Sequence, residues 1–179
     1  MTGRRLDLSQ VVYFASQYLV SFLSQNSDDV VWDDSVSVAR WLPPLLEYVK
    51  LNFDGACFWE GQELGVGVCA RGASGECLAW LAKRVDRMGN CELVEALAAR
   101  DVVLLALHKR WRSIIVEGDC ATLIPKILSP GDDYSVVGPI SLDIRSLSSR
   151  FHACVFQFVK RSCNTIAHAL AKPACGFCR

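Results

Sequence analysis

Hydrophobic and polar residues follow different periods on the two sides of residue 48. Before it, apolar residues recur at helical spacing from Val11 to Leu23, which predicts an amphipathic helix. The segment Trp41-Leu42-Pro43-Pro44 follows, and proline disfavours helix at its own position and at the preceding one. We therefore expect an N-terminal helix and linker over residues 1–48, a main domain over 49–174 and a short tail over 175–179.

The pattern after residue 48 predicts alternating strands and helices. Strands are predicted at Lys50–Cys57, Gly65–Arg71, Glu76–Ala82, Ser113–Glu117 and Phe151–Val159, and helices at Asn90–His108, Cys120–Leu128, Val136–Ser148 and Asn164–Ala171. The first three strands are joined by short connections, which favours an antiparallel meander. This order predicts an α/β fold, a mixed five-stranded sheet with helices on its faces. Because the last strand is apolar on both faces, we expect it to be central or covered.

Composition narrows the class of protein. With 179 residues, 51% hydrophobic and 21% charged, the chain is long and apolar enough to fold around one core. No run of 18 apolar residues is present, so we expect no membrane span. The nine cysteines are odd in number and scattered through apolar runs, which predicts reduced thiols in an intracellular compartment, nucleus or cytoplasm. A net charge of zero argues against a strongly basic nucleic-acid binder, although a local basic surface stays open.

Asp54 lies within a predicted strand and is followed at once by Gly55. Aspartate is depleted in strands, and a glycine beside it lets another backbone or a ligand approach closely. A solvated edge-strand aspartate is the structural alternative.

Glu95 lands inside the continuous apolar arc of the predicted helix Asn90–His108. Burying an unpaired carboxylate is costly, so we expect a metal ion, a cation or a cleft beside it. Glu92, at the edge of the arc, is explained by the helix dipole.

Asp119 follows the predicted strand Ser113–Glu117, at the carboxyl edge of the sheet, where sites of α/β folds often lie. An N-cap of the next helix is the structural alternative for Asp119. Glu117 is equally well explained as a solvated strand residue. Together, Asp54, Glu95 and Asp119 are carboxylates on three elements, a donor set that suits Mg²⁺ or Mn²⁺. Two such ions can activate water for phosphodiester hydrolysis.

Near the C-terminus, Asn164 and His168 are four residues apart, so a helix puts both on one face. A single histidine on a helix is more often structural than a ligand. Cys175 and Cys178 form a lone CxxC pair without a second pair at suitable spacing, and we do not expect a structural zinc site.

Four segments, in this order and spacing, resemble the ribonuclease H type 1 family, and within it the reverse-transcriptase-like domains abundant in plants and often derived from retrotransposons. They are Lys50-Leu51-Asn52-Phe53-Asp54-Gly55-Ala56, Val94-Glu95-Ala96-Leu97-Ala98, Ile115-Val116-Glu117-Gly118-Asp119 and Arg161-Ser162-Cys163-Asn164-Thr165-Ile166-Ala167-His168-Ala169-Leu170-Ala171. The resemblance covers about residues 50 to 172. It implies a ribonuclease H-like fold and a metal-dependent endonuclease that cuts the RNA strand of an RNA–DNA hybrid.

By this resemblance, Asp54, Glu95 and Asp119 are catalytic and bind Mg²⁺, with Mn²⁺ possible. The family's fourth aspartate falls on His168, which is the main departure from the pattern. A neutral imidazole suits softer metals than Mg²⁺, so His168 either assists the metal or positions the attacking water. The resemblance also implies substrate contacts at Asn164 and Arg161, through the 2′-hydroxyl in the case of Asn164.

A second departure is that the basic handle of some ribonucleases H is absent. Lys109, Arg110 and Arg112 are available for phosphates, and a solvated charge cluster explains them as well. Trp111 is expected in the core. The expected partner is nucleic acid, with no membrane and no organic cofactor, and we expect a monomer.

Two alternatives stay open from sequence. One is a catalytically weak or inactive module of the same fold that binds nucleic acid or another partner, which the histidine at position 168 and the zero net charge favour. The other is the same fold with a different nuclease chemistry, such as exonuclease activity or DNA cleavage.

Overall fold

A computed structural model of the protein describes residues 40–58, 63–86, 89–131 and 133–174. The strands are β1 (Val49–Phe58), β2 (Glu63–Arg71), β3 (Cys77–Val85), β4 (Ser113–Gly118) and β5 (Ala153–Phe158). The helices are α1 (Cys91–His108), α2 (Leu123–Leu128), α3 (Gly138–Ser148) and α4 (Thr165–Ala174), with a 3₁₀ turn (Arg161–Cys163) before α4. The predicted helix at Val11–Leu23 and the Cys175–Cys178 pair lie outside the described residues.

The five strands form one mixed sheet in the order β3-β2-β1-β4-β5. The β1–β2 and β2–β3 pairs are antiparallel, whereas β4 is parallel to β1 and β5 is parallel to β4. The predicted fold class, a mixed five-stranded sheet with an antiparallel meander first, is therefore confirmed.

Helices cover both faces of the sheet. Alternation along β1 turns Leu51 and Phe53 toward one face, where they join the main core with Val94 and Val102 of α1. On the other face α4 packs on β2, β1 and β3. Lys50, Asn52 and Asp54 of β1 point to this second face, and all three are buried. None of the described helices is long and apolar enough to cross a bilayer.

Strand β5 lies at an edge of the sheet, which corrects the expectation that it would be central or covered. Phe156 is buried in the main core, but Val155 is 46% exposed and Phe158 is 50% exposed. Apolar residues on both faces of a short run do not distinguish a covered strand from an edge strand, because exposed apolar residues are common on protein surfaces.

Helix α2 begins at Leu123, three residues later than the sequence predicts. Residues Cys120 to Thr122 instead form a turn after β4. The other boundaries agree with the predicted ones to within about three residues, the usual scatter of element ends.

A buried polar network lies on the α4 face of the central strands. Glu117 accepts from Asn52 Nδ2 at 3.0 Å and from Gln157 Nε2 at 2.7 Å, and it lies 2.9 Å from Lys50 Nζ. Arg71 Nη2 donates to Asn52 Oδ1 at 2.8 Å. We call this set the anchoring network: Lys50, Asn52, Arg71, Glu117 and Gln157.

The segment before β1 is attached to the anchoring network. The guanidinium of Arg71 lies 3.5 Å from the centroid of the Trp41 ring, a cation–π contact, and Lys50 Nζ donates to the Leu42 carbonyl at 2.7 Å. The boundary near residue 48 itself stays a prediction.

Candidate active site

Three acidic side chains converge beside the anchoring network. One carboxylate oxygen from each of Asp54, Glu95 and Asp119 lies within 4.8 Å of the others. These residues come from β1, from α1 and from the residue after β4. We call them the carboxylate cluster, and it brings together the three acids that the sequence singles out.

The register of two parallel strands places Asp54 beside Asp119. β1 and β4 pair with Asn52 opposite Glu117. Two residues further on, the same register sets Asp54 opposite Asp119, and in a strand this step keeps both side chains on the face of Asn52 and Glu117.

Gly55 explains how Glu95 reaches the other two acids. A Cβ atom at Gly55 would lie 2.6 Å from the backbone nitrogen of Glu95, so only glycine lets the first turn of α1 approach β1 this closely. At this contact the Gly55 N–H donates to Glu95 Oε2 at 3.1 Å. The structure confirms the expected close approach of another backbone.

Neither structural alternative for Asp54 and Asp119 holds. Asp54 is fully buried on a central strand, so it is not a solvated edge residue. Asp119 is not the N-cap of α2, because that helix is capped at Thr122 and begins three residues beyond the position that an N-cap would require.

Asn164 holds Asp119 against β1. Its Nδ2 donates to Asp119 Oδ1 and to the Phe53 carbonyl, both at 2.8 Å. The side chain is fully buried, and its Oδ1 has no hydrogen-bond partner among the described residues. In this arrangement Asn164 orients a carboxylate, and its contact with substrate stays a prediction.

His168 lies one helical turn after Asn164 and contacts Asp54. Its Nδ1 is 3.0 Å from Asp54 Oδ2, and its side chain is 24% exposed. Burial, with the charges of Arg161 and Lys172, lowers the pKa of His168. The neutral ring is therefore favoured, and its Nδ1 donates to Asp54 when the carboxylate is ionised or accepts from it when the carboxyl group is protonated.

Arg161 bridges two members of the carboxylate cluster. One guanidinium nitrogen, Nη1, lies 2.7 Å from Asp119 Oδ2 and 3.2 Å from Asp54 Oδ1. This ion pair is not evident from sequence, because Arg161 follows Asp54 by 107 residues and Asp119 by 42.

Burial and mutual repulsion oppose the simultaneous ionisation of all three carboxyl groups in the cluster. Burial and the charge of Asp119 raise the pKa of Asp54 to about 8. Burial and the charges of Asp54 and Asp119 raise the pKa of Glu95 to about 9. Burial also opposes ionisation of Asp119, but hydrogen bonds from Arg161 and Asn164 outweigh it and hold its pKa below the usual value.

Several other sequence expectations are settled by the structure. Glu117 is 3% exposed and belongs to the anchoring network, so the interpretation as a solvated strand residue is wrong. Trp111 packs against the main core, as expected. Lys109, Arg110 and Arg112 are all exposed, and their contact with phosphates stays a prediction.

Sequence comparison identifies the family of this chain. A family model described as reverse transcriptase-like matches residues 52–174, which is more than half of the chain. The chain belongs to the reverse transcriptase-like family. No curated protein matches it.

Solved structures show that this reverse transcriptase-like chain has the ribonuclease H fold. RNase H1 of the archaeon Halobacterium salinarum is 21% identical, with a TM-score of 0.67, over 71% of this chain and 96% of that one. The N-terminal RNase H domain of a Mycobacterium tuberculosis protein is 18% identical, with a TM-score of 0.66, over 72% and 94% of the two chains. LC11-RNase H1, isolated from compost, was solved with an RNA/DNA hybrid; it is 15% identical, with a TM-score of 0.64, over 72% and 96%.

The donor set of the reverse transcriptase-like chain fits a divalent cation. Hard cations such as Mg²⁺ and Mn²⁺ prefer carboxylate oxygens, and the cluster offers them from three rigid elements within 4.8 Å. Burial and the neighbouring carboxylates raise the pKa of Asp54 and of Glu95, so both groups favour their protonated forms without a further positive charge. A cation between them would favour their ionised forms.

Proposed function

We propose that the protein is a divalent-metal-dependent nuclease that hydrolyses the RNA strand of RNA–DNA hybrids. The observation that carries the proposal is the convergence of three carboxylates from β1, α1 and the end of β4 within 4.8 Å, in a chain with the ribonuclease H fold. A structural role does not explain this cluster, because burying like charges together destabilises the folded state.

Asp54, Glu95 and Asp119 would hold Mg²⁺, or Mn²⁺ in its place. When bound, such ions activate a water molecule and stabilise the leaving oxygen of a phosphodiester. The remaining residues act on the carboxylates. Asn164 fixes the orientation of Asp119 by donating to its Oδ1, and the Nδ1 contact of His168 fixes Asp54 Oδ2. Oriented ligands hold a cation in a defined position, which phosphoryl chemistry requires.

By the family resemblance, His168 stands where a fourth acid is expected, and the chemistry of an imidazole differs from that of a carboxylate. Burial, with the charges of Arg161 and Lys172, lowers the pKa of His168 and so favours the neutral ring. A neutral imidazole has one nitrogen that donates and one that can accept a proton. Nδ1 contacts Asp54, and Nε2 has no hydrogen bond to the part of the chain that the structure describes. We therefore assign His168 two roles, orienting Asp54 through Nδ1 and exchanging protons with water through Nε2.

An RNA–DNA hybrid is the proposed substrate because LC11-RNase H1, which shares the fold, was solved with such a hybrid. Three exposed basic residues after α1, Lys109, Arg110 and Arg112, are available for its phosphates. They lie roughly 20 Å from Glu95 along the helix, at 1.5 Å per residue, so any contact is remote from the cleaved bond.

Cleavage of labelled duplexes tests the proposal. An RNA–DNA hybrid, an RNA–RNA duplex and a DNA–DNA duplex are incubated with the full chain and Mg²⁺ or Mn²⁺, with an EDTA control. We expect metal-dependent cleavage of the hybrid alone. Asp119→Asn should lower the rate by about 10²–10³-fold, the loss typical of removing one group that stabilises charge in the transition state.

Asp143→Asn is the matched control. Asp143 also pairs with an arginine, Arg100, but on α3 and outside the carboxylate cluster. Its rate should remain within about twofold of wild type, since surface ion pairs contribute little. Equal rates for Asp119→Asn and wild type would contradict the assigned site. Hybrid binding by folded wild-type protein without cleavage in either metal would favour the inactive binding module.

A further inference from the structure

Arg161 approaches the carboxylate cluster from outside. It belongs to the 3₁₀ turn before α4, and its side chain is 58% exposed, whereas the side chains of Asp54 and Asp119 are 0% and 6% exposed. Only the tip of the guanidinium is inserted between the buried carboxylates. The side chain can therefore rotate into solvent without repacking the core around it.

The position of Nη1 is one that a divalent cation would also need. It lies 2.7 Å from Asp119 Oδ2 and 3.2 Å from Asp54 Oδ1, between carboxylates on two adjacent strands. A Mg²⁺ ion ligated by both residues would lie closer to their oxygens than Nη1 does, because Mg²⁺ binds oxygen at about 2.1 Å. Both cations cannot occupy this space together.

Among residues 40–58, 63–86, 89–131 and 133–174, Arg161 is the only lysine or arginine that forms an ion pair with the cluster. Lys172 acts on Asp54 only through space. Arg161 and Lys172 therefore differ. Both side chains add positive potential at the cluster, but only the guanidinium of Arg161 lies between its carboxylates.

We propose that Arg161 is a displaceable counter-ion of the metal-free site. It bridges Asp54 and Asp119 while no divalent cation is bound, and it must leave for the cation to bind. The displaced guanidinium is then in solvent beside the cluster, where it can donate two parallel hydrogen bonds to a phosphate of the nucleic acid. This inference rests on the proposed metal site, and it adds a competition between a side chain and the metal.

Metal affinity of the full chain tests the inference without requiring catalysis. Mn²⁺ binding is measured by calorimetry for wild type, Arg161→Gln and Lys172→Gln. We expect Arg161→Gln to bind Mn²⁺ about tenfold more tightly than wild type, equivalent to about 1.4 kcal/mol. Lys172→Gln, which removes a nearby charge but no occupant, should change the affinity less than about twofold.

A second readout protects the test against a folding defect. Without metal, Arg161→Gln should melt at a lower temperature than wild type, because its carboxylates lose their counter-ion. Saturating Mn²⁺ should then raise its melting temperature more than it raises that of wild type. Arg161→Lys keeps the charge and should bind Mn²⁺ with an affinity closer to that of wild type.

The outcomes separate this inference from the proposed function. Unchanged or weaker Mn²⁺ binding by Arg161→Gln, or equal tightening in Lys172→Gln, would overturn the counter-ion role but would not contradict the proposed cleavage of hybrids by the wild-type protein. Tighter binding that disappears in the double variant Arg161→Gln/Asp54→Asn supports it, even if no duplex is cut. Binding by neither protein at millimolar Mn²⁺ would overturn both.

Discussion

Two polar clusters lie two residues apart on the same strands, and their charges are arranged in opposite ways. In the anchoring network, Glu117 is met by Lys50, Asn52 and Gln157, and Arg71 completes the set through Asn52. In the carboxylate cluster, the only arginine in contact with the three acids among the described residues is the exposed Arg161, and the other donors are neutral groups such as the Asn164 amide.

This difference in partners distinguishes a buried polar group that stabilises the fold from one that is suited to binding a ligand. Glu117 has the ammonium group of Lys50 and two amide donors around it, whereas burial and the charge of Asp119 raise the pKa of Asp54, on the neighbouring strand, to about 8. Burial alone is common to both clusters. The two clusters differ in the number of positive and hydrogen-bonding partners around their carboxylates. A shortage of positive partners is therefore what distinguishes the candidate metal site.

The largest effect should come from breaking the anchoring network. Glu117→Gln leaves the buried Lys50 without its carboxylate, and breaking one side of a buried ion pair typically destabilises a protein by about 3–5 kcal/mol. Denaturant unfolding measures this change. Glu92→Gln is the control, because its ion pair with Lys126 is partly exposed and worth at most about 1 kcal/mol. Equal destabilisation by the two variants would contradict a structural role for the network.

Removing a carboxylate from the cluster of the metal-free protein should have a smaller effect on stability, and at high pH this effect should be stabilising. The folded-state pKa values of Asp54 and Glu95 are raised to about 8 and about 9, above their ordinary values of 3.8 and 4.5. The folded state therefore binds more protons than the unfolded state in this range, so stability is highest below pH 4 for these groups and falls as pH rises to about 9.

Melting temperatures in EDTA between pH 7 and pH 9 measure this loss, and Asp54→Asn isolates it. His168 does not produce this loss, since its pKa is lowered from 6.5 and a lowered histidine pKa makes stability rise with pH, not fall. We expect Asp54→Asn to lose less stability than wild type across the window and to melt higher at pH 9, by about 4 °C for each kcal/mol. Parallel pH profiles for the two proteins would show that Asp54 is already ionised at pH 7.

The smallest effect tests the orienting role of His168. His168→Ala removes the contact with Asp54 Oδ2, and loss of such a partner lowers metal affinity or turnover by about tenfold or more. Steady-state cleavage of the hybrid over a range of Mn²⁺ concentrations measures both kcat and the Mn²⁺ concentration for half-maximal activity. His152→Ala, at an exposed position, should match wild type. If both values are unchanged in His168→Ala, His168 does not orient Asp54 for metal binding or catalysis.

Local signals in the sequence were sufficient for the element order and for the three acids. Alternation predicted the strands, and a carboxylate inside an apolar helical arc marked Glu95 without any structural knowledge. Edge position was not predictable in the same way, because the apolar pattern of Phe151–Val159 suits a covered strand and an edge strand equally. The partner of Glu117 was also hidden, since a charged residue in a strand does not show what lies across the sheet.

The sequence by itself determined which residues could form a site, because residue type and period are local properties. It placed Asp54 beside a glycine, Glu95 in an apolar arc and Asp119 after a strand. Only the tertiary structure decided which of the buried charges have sufficient partners. Parallel pairing of β1 with β4 aligned Asn52 with Glu117 and carried Asp54 to Asp119, and the turn before α4 inserted Arg161 between the two acids. Those contacts join residues up to 107 positions apart, and electrostatic energy depends on distances in space rather than along the chain.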